Sequence, residues 1–241
     1  PYEASKMPLK FFLKFFQNHG LFNLKNRPQW YTVAKRSRTY VAKVLSSISG
    51  EHYKNYNVNR LIRRSNGIDL YYGDKSEFFS YDKVVLASHA DQALSIIDEP
   101  TKDEQEILSK FKYRENIAVI HTDESIMPNN KDIWSSWNSS VDKNNVEKNS
   151  ITYWLNLLQN LDFNKNIFLT LNPNFKINDD KILKKVNFTH PYFDQSALDN
   201  QDKLKNLQNK KNLLFCGSYF GYGFHEDGIK SSIEMIKAID D

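Results

Sequence analysis

The chain has 241 residues, 40% hydrophobic, 26% charged and 14% aromatic, which excludes a disordered polymer, and no run approaches the ~20 apolar residues of a membrane-spanning helix. A single cysteine, Cys216, excludes an internal disulfide and a multi-thiolate zinc site. The net charge of +4 hides an asymmetry, because residues 1–64 hold 13 Lys/Arg against 2 Asp/Glu and residues 65–241 hold 20 against 27.

In chain order, residues 6–17 read as a helix, with Ser5 as N-cap, Pro8 in the first turn and Gly20 past the end. Lys6, Lys10 and Lys14 form one stripe, and Leu9, Phe12, Leu13 and Phe16 the opposite side, widened by Phe11 and Phe15. Such a helix either packs on the core or meets lipid or an acyl substrate. Residues 37–48 read as a second helix with Ser37 as N-cap. Strands are expected at Tyr53–Val58, Arg60–Arg64 and Ile68–Tyr72, with a hairpin turn at Asn66-Gly67. The unbroken apolar run Val84–Ala87 suits a strand of a parallel sheet. Helices follow at 90–98 and 102–111, then a strand at Ile117–His121. Asp142–Ser150 is polar and Asn-rich and reads as an exposed loop. Thr152–Leu158 and Ile167–Leu171 flank a turn-like stretch, and Asn172-Pro173-Asn174 is a stop. Residues 195–208 read as helix, Leu213–Cys216 as strand, and Glu226–Ile239 as the last helix. Strands interleaved with helices give an α/β fold class.

Four of the eight glycines lie between 217 and 228, where a strand turns into the last helix. Glycines there let backbone approach a ligand, and the helix start offers unpaired N–H groups and a positive dipole end. His225 and Glu226 are the catalytic candidates: His225 as a proton relay or merely a cap, Glu226 as its neighbour or a residue balancing the dipole. Trp137, Asn138, Tyr153, Trp154 and Asn156 either line an apolar substrate cavity, with Trp137, Asn138 and Tyr153 as the candidates, or form an ordinary aromatic core, the better reading for Trp154. His89 follows the buried strand at a corner where ligands gather, though a structural role suits it better. No metal-ligating histidine pair, nucleophile elbow or nucleic-acid motif is present, so neither metal nor nucleic acid is expected.

Ordered stretches along the chain carry a family resemblance. They are Asn18-His19-Gly20-Leu21, Arg27-Pro28-Gln29-Trp30, Tyr81 to Leu94, His121-Thr122-Asp123, Met127-Pro128, Ser136-Trp137-Asn138, Tyr153 to Asn156 with Leu158-Gln159, Thr170 to Pro173, His190-Pro191 and Phe215 to Gly228. The chain resembles the carboxy-terminal part of flavin-dependent amine-oxidase-like proteins. The match is to a bacterial subgroup of NAD/FAD-binding oxidoreductases that accompanies enzymes resembling cyclopropane-fatty-acid synthases. The resemblance implies an incomplete FAD/NAD(P)-binding Rossmann-like domain with a mixed-sheet, amine-oxidase-type substrate domain. Residues 1–30 would hold the basic helix and part of the substrate domain, 31–98 an FAD-domain segment, 99–205 the substrate domain, and 206–241 the final strand and helix of the FAD domain. It implies FAD as cofactor, with Gly217, Ser218, Tyr219, Gly221, Gly223, Phe224, Asp227 and Gly228 against it, and hydride transfer from a lipid-like substrate. The alternative is a non-catalytic lipid- or membrane-surface-binding module derived from such an enzyme.

The resemblance also marks departures. The G-x-G-x-x-G turn that holds the FAD pyrophosphate is not in this sequence, and the chain opens on Pro1-Tyr2-Glu3. A fragment is therefore expected, one that binds FAD weakly by itself. Ser218 stands where such proteins carry an acidic residue, and Lys35-Arg36 where the subgroup carries two glycines. The lone cysteine and the lack of a signal-peptide pattern lead to the expectation of a cytoplasmic protein, peripheral to membrane through residues 6–17.

Overall fold

A computed structural model describes residues 7–29, 31–73, 77–142 and 145–239; Ser5, Lys6 and Trp30 lie outside them. The chain divides into two compact units. One is centred on Tyr113–His190, the other on Pro8–Lys112 and Pro191–Asp241.

The larger unit opens with helix α1, Leu9–Asn18, and helix α2, Ser37–Ser46. Pro8 is the residue before α1, where its fixed φ directs the chain into the helix. Arg36, not Ser37, precedes α2, and Ser37 is its first residue. Strands β1 (Val58–Arg64), β2 (Gly67–Tyr72) and β3 (Phe78–Tyr81) form an antiparallel sheet. Arg64 pairs with Gly67, so the expected hairpin forms across Ser65-Asn66. The expected strand at Tyr53–Val58 does not form: residues 51–57 are irregular. Tyr53 and Tyr56 spend their aromatic area against Phe79 instead, with ring centroids 5.2 and 6.1 Å away.

The apolar run forms β4, Val84–Leu86, which pairs in parallel with β10, Leu213–Phe215. Helices α3 (Ala90–Ile96) and α4 (Lys102–Leu108) follow β4. A capping box starts α4: Thr101 accepts from the Glu104 N–H, and the Glu104 carboxylate accepts from the Thr101 N–H. The buried Glu104 also pairs with Arg63 of β1, tying helix to sheet. Helix α6 covers Gln195–Gln201, and a 3-10 turn at Leu204–Leu207 replaces the second half of the expected helix. The core is Leu61, Ile68, Leu108, Leu204, Leu207, Leu213, Leu214 and Phe215.

The smaller unit is a five-stranded sheet in the order β6-β7-β8-β5-β9. The ranges are β5 Lys112–His121, β6 Trp137–Asp142, β7 Asn145–Trp154, β8 Phe168–Leu171 and β9 Ile182–Tyr192. A one-turn helix, α5 (Leu155–Leu158), follows β7. Of the expected loop at Asp142–Ser150, residues 143 and 144 lie outside the described residues; Asp142 ends β6, and residues 145–150 belong to β7, paired with it. Polar composition misleads there because backbone bonds build the ladder whatever the side chains are. Met127, Trp134 and Phe168 form the core cluster beside this sheet, with Ile126 and Trp154 packed on it. Trp154 is thus the core residue expected, its ring 5.3 Å from that of Trp134.

Candidate functional site

The parallel pairing of β4 and β10 sets Leu86 opposite Phe215, so both strands end at the same level. Each then turns into a helix: β4 through Ser88-His89 into α3, β10 through the glycine-rich turn into α7, His225–Lys237. The crevice beyond the carboxyl ends of parallel strands is where open α/β sheets bind ligands.

Gly217 opens the turn at φ +154° and ψ 169°, a conformation essentially closed to residues with a side chain. A Cβ there would lie 2.8 Å from the Tyr219 ring and 3.6 Å from the Ser88 carbonyl oxygen of the neighbouring corner. The Gly217 N–H donates to Ser231 Oγ at 2.9 Å, and Ser231 Oγ donates to the Gly228 carbonyl at 2.7 Å. The second turn of α7 is thereby latched to the start of the loop. Ser218–Phe220 form a 3-10 turn, with Tyr219 buried against Phe111. Asp227 accepts from the N–H groups of Tyr222 and Phe224, both at 3.0 Å. Its carboxylate therefore holds the turn closed from the first turn of α7. Gln201 Nε2 donates to the carbonyls of Tyr219 and Gly221; nothing in its local sequence signalled this. A cavity of about 440 Å³ lies beside the turn, lined by residues that include Gln201, Lys205, Phe220, Gly221, Asp227 and Lys230.

The catalytic candidates have separate partners. His225 is exposed, with Nδ1 3.0 Å from the Tyr40 hydroxyl of α2. Glu226 forms a surface pair with Lys230 at 3.4 Å. Sequence reading missed what flanks the turn. Phe11 of α1 is buried between Phe193 and Tyr222, both centroids at 5.1 Å. Phe15 and His19 lie over Phe224 at 5.8 and 5.1 Å. Gly223, at φ +92°, passes beneath Phe193, which a Cβ would approach to 3.2 Å.

Lys35 and Arg36 both have positive φ, +58° and +69°. With ψ −175°, Arg36 sits in a region populated almost only by glycine. The backbone at both positions takes the positive φ that favours glycine, yet carries two cations. Arg36→Gly removes roughly 1–3 kcal/mol of strain, against roughly 0.5–1 kcal/mol of added chain entropy in the unfolded state. The variant is expected to melt a few degrees higher than the parent, and a lower melting temperature would show that this backbone is not strained.

In the smaller unit Trp137 and Tyr153 are directly paired across β6 and β7, rings 6.5 Å apart and nearly perpendicular. Trp137 is exposed, and burial pushes the Tyr153 phenol upward. Asn138 is committed to the backbone: its amide donates to the Ser135 and Thr152 carbonyls and its oxygen accepts from the Ser135 N–H. A buried polar row crosses the sheet. His121 Nε2 is 2.8 Å from Thr170 Oγ1, which is 2.9 Å from Thr152 Oγ1. The Asp123 N–H donates to His121 Nδ1 at 3.1 Å, so Nε2 carries the proton of the neutral ring. Burial holds the His121 pKa below its ordinary value, against the pull of the Asp123 charge. Burial would raise Asp123, but the Asn178 N–H, Ser125 and Lys181 bring it down to about 2.

No family model and no curated protein matches the chain. Solved structures do. A fatty acid isomerase from P. acnes aligns with a TM-score of 0.59 at 13% identity, over 87% of this chain and 53% of that one. A protein described as a putative protoporphyrinogen oxidase, from Exiguobacterium sp. 255-15, aligns at 0.62 and 10% identity, over 96% and 58%. Putrescine oxidase bound to putrescine aligns at 0.54 and 9% identity, over 86% and 52%. The fold is that of the FAD-binding, amine-oxidase-type proteins. The chain spans a little over half the length of these structures.

Proposed function

We propose that this chain is the part of an FAD-dependent, amine-oxidase-like oxidoreductase that supplies the flavin-facing turn and a substrate-side sheet. The observation that carries the reading is the Gly217 corner. Two parallel strands end together, and a glycine-only backbone passes beside Ser88 into the start of a 13-residue helix. A glycine backbone lets a cofactor come close, on the side away from the Tyr219 ring and the Ser88 carbonyl that occupy the place of a Cβ. FAD held there would supply the hydride acceptor for oxidation of a substrate. The chain's residues position and tune: Gly217, Ser218 and Gly223 offer close backbone, and the positive end of α7 favours negative charge in front of it. Tyr219 and Asp227 hold this turn in shape from within. His225, oriented by Tyr40, is the proposed proton carrier, and its neighbour Glu226 pairs with Lys230 at the surface. An apolar, lipid-like substrate is proposed, supported by the Trp137–Tyr153 pair and by likeness to a fatty acid isomerase.

The test is flavin content. The protein, purified at the length its gene encodes, is expected to carry FAD, seen as a visible absorbance band and identified after release. Gly223→Val puts a branched side chain at φ +92° under Phe193 and is expected to weaken FAD retention at least tenfold, roughly 1.4 kcal/mol. Circular dichroism checks that the variant is folded. A folded variant with full flavin content would move the cofactor away from this turn.

A further inference from the structure

We propose that the outward face of α1, with the segment after it, docks on an anionic lipid surface. Among the described residues only part of the apolar circumference of α1 is covered: Phe11 and Phe15 sit on the turn. The next stripe round the helix is Leu9, Phe12, Leu13 and Phe16, at i, i+3, i+4 and i+7. Leu9 is 69% exposed, Phe12 40% and Leu13 46%, values that a core-facing stripe would not show. Phe16 continues the patch by ring contact with Phe22 at 5.4 Å, and Leu21, Phe22 and Leu24 are themselves exposed.

Charge selects the occupant. Lys10 and Lys14 edge the stripe on its wet flank, and Lys25 and Arg27 follow; all four are exposed. Residues 4–50 hold nine Lys/Arg and no Asp/Glu. A greasy helical face edged by lysines is the composition of a helix lying in the headgroup layer. Each cation near an anionic bilayer strengthens binding about fivefold. Among the described residues no helix is long and apolar enough to cross a membrane, and the contact proposed is peripheral. It stands apart from the flavin reading.

The experiment is co-sedimentation of the full protein with vesicles of phosphatidylcholine mixed with phosphatidylglycerol, and with phosphatidylcholine alone. Binding is expected to the mixed vesicles and to weaken as salt rises. Lys10→Gln with Lys14→Gln should weaken it roughly twenty-fivefold. Leu9→Glu with Leu13→Glu should abolish it while leaving the melting temperature and the solution mass unchanged. The proposal is overturned if the protein stays in the supernatant, or if the leucine variant still binds. It is overturned equally if that variant melts lower or changes oligomeric state, since polypeptide rather than lipid would then cover the face.

Discussion

Gly217→Ala is expected to destabilise the protein by about 3 kcal/mol, while Gly228→Ala leaves it as stable or up to ~1 kcal/mol more so. At Gly217 two costs add. A side chain at φ +154° carries roughly 1–3 kcal/mol of backbone strain. The new Cβ would also press on the Tyr219 ring at 2.8 and 2.9 Å. Tyr219 is 2% exposed and set against Phe111, so it has nowhere to retreat; overpacking of this kind costs roughly 1–3 kcal/mol more. Gly228 lies inside α7, where the nearest atom to an added Cβ is Ser218 N at 3.9 Å. Alanine is the better helix former there. Urea unfolding of the two variants beside the parent measures both effects. Equal midpoints for all three would mean that Gly217 is not locked as described and that the proposed flavin contact at this corner has lost its structural basis.

The second large effect belongs to His121. His121→Leu leaves the Asp123 N–H without its acceptor and Thr170 without one partner, inside a fully buried site. The cost is expected to be about 2–3 kcal/mol near neutral pH, mainly from the orphaned donor. The pH profile separates this role from simple packing. The folded pKa of His121 lies below its ordinary value of 6.5, so the unfolded chain binds this proton first. Stability from this group is present above pH 6.5 and is lost as pH falls through the folded pKa. Asp123, at about 2 against 3.8, adds a further loss at lower pH, as its carboxylate is protonated. Melting temperature is therefore expected to fall as pH drops below 6.5 in the parent. The His121 variant should start lower and lack that first decline, keeping only the carboxylate limb. Parallel curves for the two proteins would show that His121 is not held neutral by its surroundings.

The Val84-Val85-Leu86 run read as a parallel strand and is one, with Val84 and Leu86 buried and Val85 exposed. The β1–β2 hairpin, its turn one residue earlier than the Asn66-Gly67 signal, and the strand–turn–helix at residues 213–237 were legible because turn residues and helix starts act on neighbours in the chain. The β6–β7 hairpin was illegible because its ladder needs only backbone, and the 142–150 side chains spell a loop. The eleven-residue β9 gave no signal that was read. The positive φ of Lys35 and Arg36 contradicts their side chains and came into view only through the backbone.

The sequence by itself determined the α/β class, the position of the glycine turn and the two-sided greasiness of α1, since periodicity and glycine spacing act over a few residues. Tertiary structure alone decided which half of α1 is spent on Phe193, Tyr222 and Phe224, that Asp227 closes its own turn, that His225 meets Tyr40, and that His121 finds Thr170. Nearly all of those partners lie far away along the chain, and their contacts depend on where side chains converge in space. No local pattern encodes that convergence.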